Sequence, residues 1–129
     1  MLIYKIAFNG DWMEAIRSGV FEGSTKDRED GFIHFSTAEQ LEETLRLHYA
    51  RSQRPLAVSA VEADTLGTSL RWEPSRDGAL FPHLYGTLPM AAVRLTMVGF
   101  YETLAADNFS GVRDFVARRG VYALEKPAV

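Results

Sequence analysis

The order of strand-like and helix-like segments constrains the fold of this chain more than any other feature of its sequence. Short β-favouring runs mix with helical patterns and turns, and their order does not follow the regular β-α-β repeat of a doubly wound sheet. The strand-like runs lie at 2–8, 32–35, 55–63, 70–73, 81–85 and 93–101. Strands and helices mixed in this way predict an α+β domain.

Two capping patterns mark the predicted starts of helices. Asp11 is followed three residues later by Glu14, and Ser36 is followed in the same way by Glu39. In such a pair the first side chain accepts a backbone N–H of the helix, and the second reaches back to the cap. We therefore expect a short helix after Asp11 and a longer helix that begins at Ser36 and ends near Ala50.

The remaining polar segments complete the predicted secondary structure. Residues 22–31 carry many charged side chains, which predicts a solvated loop. Ser110 is expected to cap a final helix over about 111–119 that Gly120 ends. Residues 127–129 are expected to form a loose tail.

Length and composition limit the class of protein. The 129 residues suit one domain, which we place at 1–129. Hydrophobic residues make up 47% of the chain and charged residues 24%, which argues against a disordered or fibrous protein. The net charge of -3, with both signs interspersed, gives no basic field for bulk nucleic-acid binding. The lack of cysteine excludes disulfides, thiolate metal sites and cysteine nucleophiles.

The apolar segments of the sequence predict a cytoplasmic protein without a membrane segment. The apolar run at 1–6 is short, and it lacks the basic start and the small-residue cleavage site of a signal peptide. Nowhere do about 18 apolar residues run together, as a membrane-spanning helix would require.

The first candidate site lies in the segment 30–36. Strand alternation places Phe32, His34 and Ser36 on one face. A histidine just before a helix N-terminus lies near free backbone N–H groups and the positive end of the helix dipole, where phosphate and carboxylate groups bind. The structural alternatives are that His34 is a hydrogen-bonded core histidine and that Ser36 is only a helix cap.

A second candidate segment is 81–86. Alternation places Phe81, His83 and Tyr85 on one face, an arrangement that suits the wall of a ligand site because it combines aromatic area with directional hydrogen bonds. Pro82 indicates an edge or irregular strand. The alternative is a proline-containing turn that covers the core.

Arg71 and Glu73 share a face of the run at 70–73. They form either an exposed ion pair, which contributes little to stability, or part of a site. In the second case Glu73, between Trp72 and Pro74, is a partly buried carboxylate whose pKa rises toward that of a general base. His48 lies on the apolar stripe of the predicted second helix and is expected in the core.

A metal site is a third interpretation of the same residues. His34, His83 and Glu73 together would make an open site for zinc or iron. The spacing of 49 residues between the two histidines does not by itself indicate a metal site. The sequence also has no Walker loop, dinucleotide fingerprint, HExxH helix or GxSxG elbow.

The chain resembles a family of small, mostly bacterial proteins known as domain of unknown function 952 over about residues 3 to 97. Residues 98–126 are then a C-terminal strand and helix extension. The resemblance rests on many matches in order, including Ile3-Tyr4-Lys5-Ile6, Trp12, Asp30-Gly31-Phe32-Ile33-His34, Ser36, Gln40, Thr44, Leu66-Gly67, Trp72-Glu73-Pro74 and Phe81-Pro82-His83-Leu84-Tyr85-Gly86.

The family is similar to a compact ADP-ribosyltransferase, which implies a split mixed sheet with short helices and an NAD-shaped cleft between its halves. Lys5 stands where those enzymes carry a first basic residue, Arg or His, and 31–36 resembles their second motif strand. Glu73 is chosen as the catalytic glutamate for its chemistry and not by a motif match. A fold likeness does not by itself establish an activity.

The resemblance and the candidate residues together predict a domain that binds a small anionic or nucleotide-like molecule, such as NAD or ADP-ribose. If the domain is an enzyme, the expected reaction is group transfer or hydrolysis on an NAD-like or phosphorylated ribose. The rival interpretation is a binding or regulatory module that has lost the chemistry. Glu73, His34 and His83 are the expected catalytic residues, and Lys5, Ser36, Arg71 and Tyr85 are the expected ligand-binding residues.

Overall fold

The computed structural model describes residues 1–118, and their secondary structure confirms the α+β prediction. Eight strands and five helices lie in this part of the chain, with short 3-10 turns between some of them. In chain order they are β1 (Leu2–Phe8), α1 (Asn9–Ser18), β2 (Val20–Phe21), α2 (Thr25–Asp30), β3 (Ile33–His34), α3 (Leu41–Tyr49), β4 (Leu56–Glu62), β5 (Leu70–Pro74), β6 (Leu80–Leu84), β7 (Leu88–Pro89), β8 (Val93–Gly99), α4 (Tyr101–Ala106) and α5 (Ser110–Ala117).

The strands form a central sheet and a smaller sheet beside it. The central sheet has the order β1-β4-β8, the smaller one has the order β3-β6-β5, and β2 pairs with β7. Every strand pair within residues 1–118 is antiparallel, so the expectation of mixed strand directions is wrong for this part of the chain. No helix within the same residues is both long enough and apolar enough to cross a membrane.

The chain changes strand partner immediately after His34. Ile33 and His34 pair with β6, and the backbone N–H of Phe35 donates to the carbonyl of Pro82. One residue later, Ser36 exchanges two backbone hydrogen bonds with Tyr4 of β1, at 2.8 and 2.9 Å. This switch joins the smaller sheet to the central one.

Both faces of the central sheet are covered, which explains why β1 and β4 are buried along almost their whole length. On one face α3, α4 and α5 pack against Tyr4, Ile6 and Val58. On the other face, α1 and the smaller strands pack against Ile3 and Ala57. Lys5 shares the face of Ile3 along β1, so its side chain points into this second layer.

Two predicted helix starts are wrong. α1 begins at Asn9, directly after the extended Phe8, so Asp11 lies inside its first turn and caps nothing. α3 begins at Leu41, because Ser36 is committed to backbone pairing with Tyr4 and the turn at 37–40 intervenes. The end of α3 at Tyr49 confirms the predicted end near Ala50.

The predicted solvated loop at 22–31 contains a helix, α2. Ser24 accepts the backbone N–H of Asp27, and the Asp27 carboxylate accepts the backbone N–H of Ser24, at 3.2 and 2.8 Å. This is a capping box in which aspartate takes the place of the usual glutamate. The many charged residues of the segment led to the wrong prediction of a solvated loop, since Asp27 is in fact buried.

The C-terminal part differs in detail from the prediction. β8 ends at Gly99, and Tyr101 begins α4, which the sequence did not predict. α5 begins at Ser110 itself, and its N-cap is Phe109 in the left-handed conformation, so Ser110 is not the cap. The predicted helix end at 119–120, the rest of the extension to 126 and the tail at 127–129 lie outside the described residues.

Candidate functional site

Strand register brings three predicted site residues into one row. His34 of β3 pairs with His83 of β6, and His83 pairs in turn with Arg71 of β5. Residues directly opposite in an antiparallel pair point to the same face. The two imidazole rings lie 5.6 Å apart between centroids. The expected catalytic residues His34 and His83 therefore lie close together on one face of the smaller sheet.

Phe32 forms the centre of an aromatic cluster beside this row. Its ring stacks on the imidazole of His83, with 4.1 Å between centroids and 26° between planes. It also lies 4.6 Å from His34 and 5.2 Å from Tyr85. Tyr85 is exposed, and Phe32 is partly buried. We call Phe32, His83 and Tyr85 the aromatic platform.

Both ring nitrogens of His34 contact carboxylates of α2. Nδ1 lies 2.6 Å from Asp27 and Nε2 lies 2.8 Å from Asp30. An ionised carboxylate only accepts hydrogen bonds, so both nitrogens donate at once only when the imidazole is doubly protonated. This geometry holds the ring of His34 in a fixed orientation. Asp27 and Asp30 are functional candidates that the sequence analysis missed.

Asp27 is the buried centre of a hydrogen-bond network. Its carboxylate accepts from the Lys5 ammonium at 2.9 and 3.1 Å and from the backbone N–H and ring of His34. Burial alone would raise the pKa of Asp27, but the hydrogen bond from His34 and the charge of Lys5 hold that pKa well below its usual value. Lys5, Ser24, Asp27 and His34 are the Asp27 network.

The low pKa of Asp27 predicts a loss of stability in acid. A carboxylate whose folded-state pKa lies below its unfolded value of about 3.9 contributes stability above that value and loses it as the pH falls further. We expect Asp27→Asn to lower the melting temperature near neutral pH, and we expect the gap to wild type to narrow below about pH 4.

Melting curves of the two proteins between about pH 7 and about pH 3 would measure this gap. Asp11→Asn, a change on the exposed surface of α1, is the control and should parallel wild type at each pH. A gap for Asp27→Asn that stays constant into acid would contradict the low pKa.

His83 is oriented by Glu73. Its Nδ1 lies 2.8 Å from Oε1 of Glu73, and the hydroxyl of Tyr85 donates to the same oxygen at 2.8 Å. These two hydrogen bonds lower the pKa of Glu73, the one from His83 most. The raised pKa that the sequence analysis expected for Glu73 is therefore wrong. An ionised Glu73 is suited to orient His83 and is a poor base itself.

The remaining predicted ligand-binding residues lie at different depths. Arg71 does not form an ion pair with Glu73, and its guanidinium lies over the Tyr85 ring, 4.8 Å from the centroid. Lys5 is buried, and its ammonium contacts Asp27 and the carbonyl of His34, so it lies beneath the site. Ser36 is also buried, and its hydroxyl donates to Thr44.

Two further expectations concern His48 and a metal. His48 is exposed on α3, so its predicted place in the core is wrong. Residues 1–118 contain no group of three or more His, Asp or Glu side chains arranged to hold a metal ion. His34 instead uses both of its nitrogens for Asp27 and Asp30.

Comparisons with known proteins identify similar solved structures. The chain is similar to the crystal structure of protein CC0527 from Caulobacter crescentus, with 44% identity over 76% of this chain and 85% of that chain and a TM-score of 0.70. The solution structure of the same protein is 45% identical over 74% and 82% of the two chains, with a TM-score of 0.63. A search of curated proteins gave no match.

A family profile also matches the chain over residues 6–96. This range agrees closely with the resemblance found in the sequence, and it includes Arg71, Glu73, Tyr85 and both histidines of the row. The similar structures do not test the likeness to ADP-ribosyltransferases, which stays a prediction. The chain belongs to the family described as protein of unknown function DUF952.

Proposed function

We propose that the face formed by β3, β6 and β5 binds a small anionic, nucleotide-like molecule, and that His83 acts there as a general base. The reaction is group transfer or hydrolysis on an NAD-like or phosphorylated ribose. The observation that carries this proposal is the pair of His83 and Glu73. Nδ1 of His83 is hydrogen-bonded to the carboxylate of Glu73, and Nε2 of His83 has no hydrogen-bond partner among residues 1–118.

Glu73 determines which nitrogen of His83 is available. Its ionised carboxylate accepts a hydrogen bond from Nδ1–H, so the neutral ring carries its proton on Nδ1 and its lone pair on Nε2. A hydroxyl or water beside Nε2 would transfer its proton there as its oxygen bonds to the carbon or phosphorus that carries the leaving group, and the leaving group would depart with the electrons of the bond that breaks. The negative charge of Glu73 would stabilise the resulting imidazolium. The same division of roles operates where a carboxylate orients a catalytic histidine.

The aromatic platform supports binding next to this base. Tyr85 is exposed and carries Arg71 on its ring, so the pair offers a flat surface with a positive charge. Flat aromatic groups such as a nucleotide base stack on such surfaces. Arg71 forms no salt bridge within residues 1–118, which leaves its charge available to an anion.

The Asp27 network supports the site from below. Lys5 holds Asp27 in place, and Asp27 with Asp30 holds His34 at the edge of the platform. In this proposal Lys5 positions His34 and does not contact the ligand. Because both ring nitrogens of His34 are engaged with Asp27 and Asp30, His34 would contact the ligand through its ring surface and not as a hydrogen-bond donor.

The second candidate function is a binding or regulatory module without catalysis. The position of Lys5 favours it, because the basic residue of the first strand is engaged with Asp27 and the His34 carbonyl and is not directed at a ligand. The two functions share the platform and differ in the role of His83. A binding module would retain its affinity for the ligand and show no turnover that depends on this residue.

Replacing Glu73 by Gln tests the catalytic role. A thermal-shift screen with NAD, ADP-ribose, nucleotides and divalent metals would first identify the ligand, since binding to the folded state raises the melting temperature. We expect Glu73→Gln to bind an anionic ligand as tightly as wild type or more tightly, because a negative charge is removed. We expect turnover to fall about 10²-fold, because the imidazolium of His83 loses its counter-charge.

Glu14→Gln is the control for this experiment, because Glu14 is exposed on α1. It should change neither ligand binding nor turnover. If Glu73→Gln lowers the melting temperature by several degrees and leaves turnover unchanged, Glu73 has a structural role. The role of general base assigned to His83 is then wrong. Turnover that is absent in wild type, with binding intact, would favour the binding module.

A further inference from the structure

A second polar surface lies where α3 meets the turn of the β5–β6 hairpin. Gln40, Thr44 and His48 follow one another at intervals of four residues, which places them in one stripe along the helix. The amide of Gln40 donates to the carbonyl of Leu80 at 2.8 Å. The guanidinium of Arg76 donates to the hydroxyl of Thr44 at 3.3 Å. Gln40 and Thr44 therefore face the hairpin, and His48 lies one helical turn beyond Thr44.

Arg76 is held in place without a counter-charge. Its guanidinium lies over the ring of Phe81, 4.9 Å from the centroid, in addition to its hydrogen bond with Thr44. It forms no salt bridge with a carboxylate of residues 1–118. Arginines that are oriented by packing and lack an acidic partner are suited to bind phosphate, because the planar guanidinium offers paired donors.

The hydroxyl of Thr44 is fully used in this arrangement. It donates to the carbonyl of Gln40 at 3.0 Å and accepts from Ser36 and Arg76. Thr44 therefore orients Arg76, and its hydroxyl is not available to bind a ligand. The remaining donors of the guanidinium, which have no partner within the described residues, are available at the surface.

His48 lies in a positive field at the far end of the stripe. Although His48 is exposed, desolvation by the groups around it lowers its pKa, and the charges of Arg76, His34 and Lys26 lower it further. No carboxylate within residues 1–118 acts on it in the opposite direction. Asp30 is engaged with His34 and Lys26. Lys26 and His34 thus have carboxylate partners, whereas Arg76 and His48 have none within residues 1–118, so a bound anion would lower the electrostatic cost of placing these two groups near each other.

The hairpin connects this surface to the aromatic platform. Phe81, on which Arg76 lies, and His83 are two residues apart on β6 and therefore point to the same face. That spacing corresponds to about 7 Å along the strand. It is a distance that a phosphorylated ribose can span.

We propose that Arg76 and His48 form an anion-binding subsite that takes the phosphate of a phosphorylated small molecule. The remainder of this ligand lies on the aromatic platform. The identity of that remainder rests on the proposed function, but the subsite itself depends only on Arg76, His48 and the groups that hold them. Inorganic pyrophosphate is therefore a probe of the subsite that does not need the platform.

Calorimetry with pyrophosphate at low ionic strength tests the subsite. We expect binding by wild type that weakens about tenfold in Arg76→Gln, which corresponds to about 1.4 kcal/mol. Arg76→Lys should recover part of the loss because it keeps the charge. Arg17→Gln removes the same charge from the exposed surface of α1 and should bind like wild type.

Nuclear magnetic resonance of His48 gives an independent measurement. A bound anion favours the imidazolium, so saturating pyrophosphate should raise the pKa of His48 toward its ordinary value. For the same reason pyrophosphate should bind more tightly at about pH 6 than at about pH 8. The groups that share this field, His34, Lys26, Asp30 and Arg76, must be followed in the same titration.

Four outcomes would overturn the subsite. These are no binding of pyrophosphate, equal weakening in Arg76→Gln and Arg17→Gln, an unchanged affinity in Arg76→Gln and an unchanged pKa of His48. His83→Gln separates this inference from the proposed function, because it should remove turnover and leave pyrophosphate binding intact. If turnover is unchanged in His83→Gln while the pyrophosphate results are as expected, His83 is not the general base, and the proposal of the anion-binding subsite still holds.

Discussion

Asp27→Asn is expected to lower the free energy of unfolding by about 3–5 kcal/mol, because it leaves a buried ammonium without its counter-charge. Lys5 and Asp27 are both almost completely buried, and their charged atoms lie 2.9 Å apart. Burial already lowers the pKa of Lys5, and Asp27 opposes that effect. Without Asp27, Lys5 must either stay charged in an apolar layer or lose its proton, and both cost stability.

A double variant separates the charge effect from the loss of hydrogen bonds. Asp27→Asn combined with Lys5→Met removes both charges, while the amide oxygen introduced at position 27 can still accept from backbone N–H groups. We expect the double variant to be more stable than Asp27→Asn alone, since removing both partners of a buried pair costs less than removing one. Denaturant unfolding measures all three proteins. An Asp27→Asn protein less than about 1 kcal/mol below wild type would show that Lys5 does not depend on this carboxylate.

Gly23→Ala is expected to cost about 3 kcal/mol of unfolding free energy, for two separate reasons. The backbone of Gly23 has φ of +106°, a region that residues with a Cβ rarely adopt. An added Cβ would also lie 3.0 Å from the Cβ of Asp27, so the centre of the Asp27 network would have to shift.

Gly31→Ala is the matched control for the backbone contribution. Gly31 ends α2 with φ of +86°, and a Cβ there would meet nothing within 4 Å. Its replacement should therefore cost only the strain of the left-handed conformation, about 1–2 kcal/mol. The difference between the two variants in a denaturant experiment measures the crowding at Asp27. Equal losses would mean that the network tolerates the added methyl group.

Local patterns in the sequence were sufficient to predict the parts of the site that lie on strands. Alternation placed His34 and His83 on strand faces, and both strands formed, so the two rings could meet once their strands paired. The pairing partner itself was not encoded locally, because register depends on contacts between distant segments. The faces on which the two histidines lie could therefore be predicted, but the alignment of His34, His83 and Arg71 in one row could not.

The supporting residues could not be predicted by the same reasoning. Asp27 lies in a run of charged residues that resembles a solvated loop, and only its contact with Lys5, 22 positions earlier, shows that it is buried. The capping box of Ser24 and Asp27 was the available signal. The pKa of Glu73 was predicted in the wrong direction because His83 and Tyr85, its hydrogen-bond partners, come from β6 and the residue after it.

The switch of strand partner after His34 determines how the two sheets can move relative to each other. The bond from Phe35 to Pro82 and the pair formed by Ser36 and Tyr4 involve consecutive residues of the chain. A rotation of the β5–β6 hairpin against the central sheet would change the backbone geometry at this point, as well as the contacts of the hairpin with Gln40 and Thr44 of the α3 side. His34 is its immediate neighbour and is tied to α2 by two carboxylates. Closure of the hairpin over a ligand would therefore strain the hydrogen bonds of His34 as well. The ring of His34 would then report movement of the hairpin in addition to forming part of the binding face.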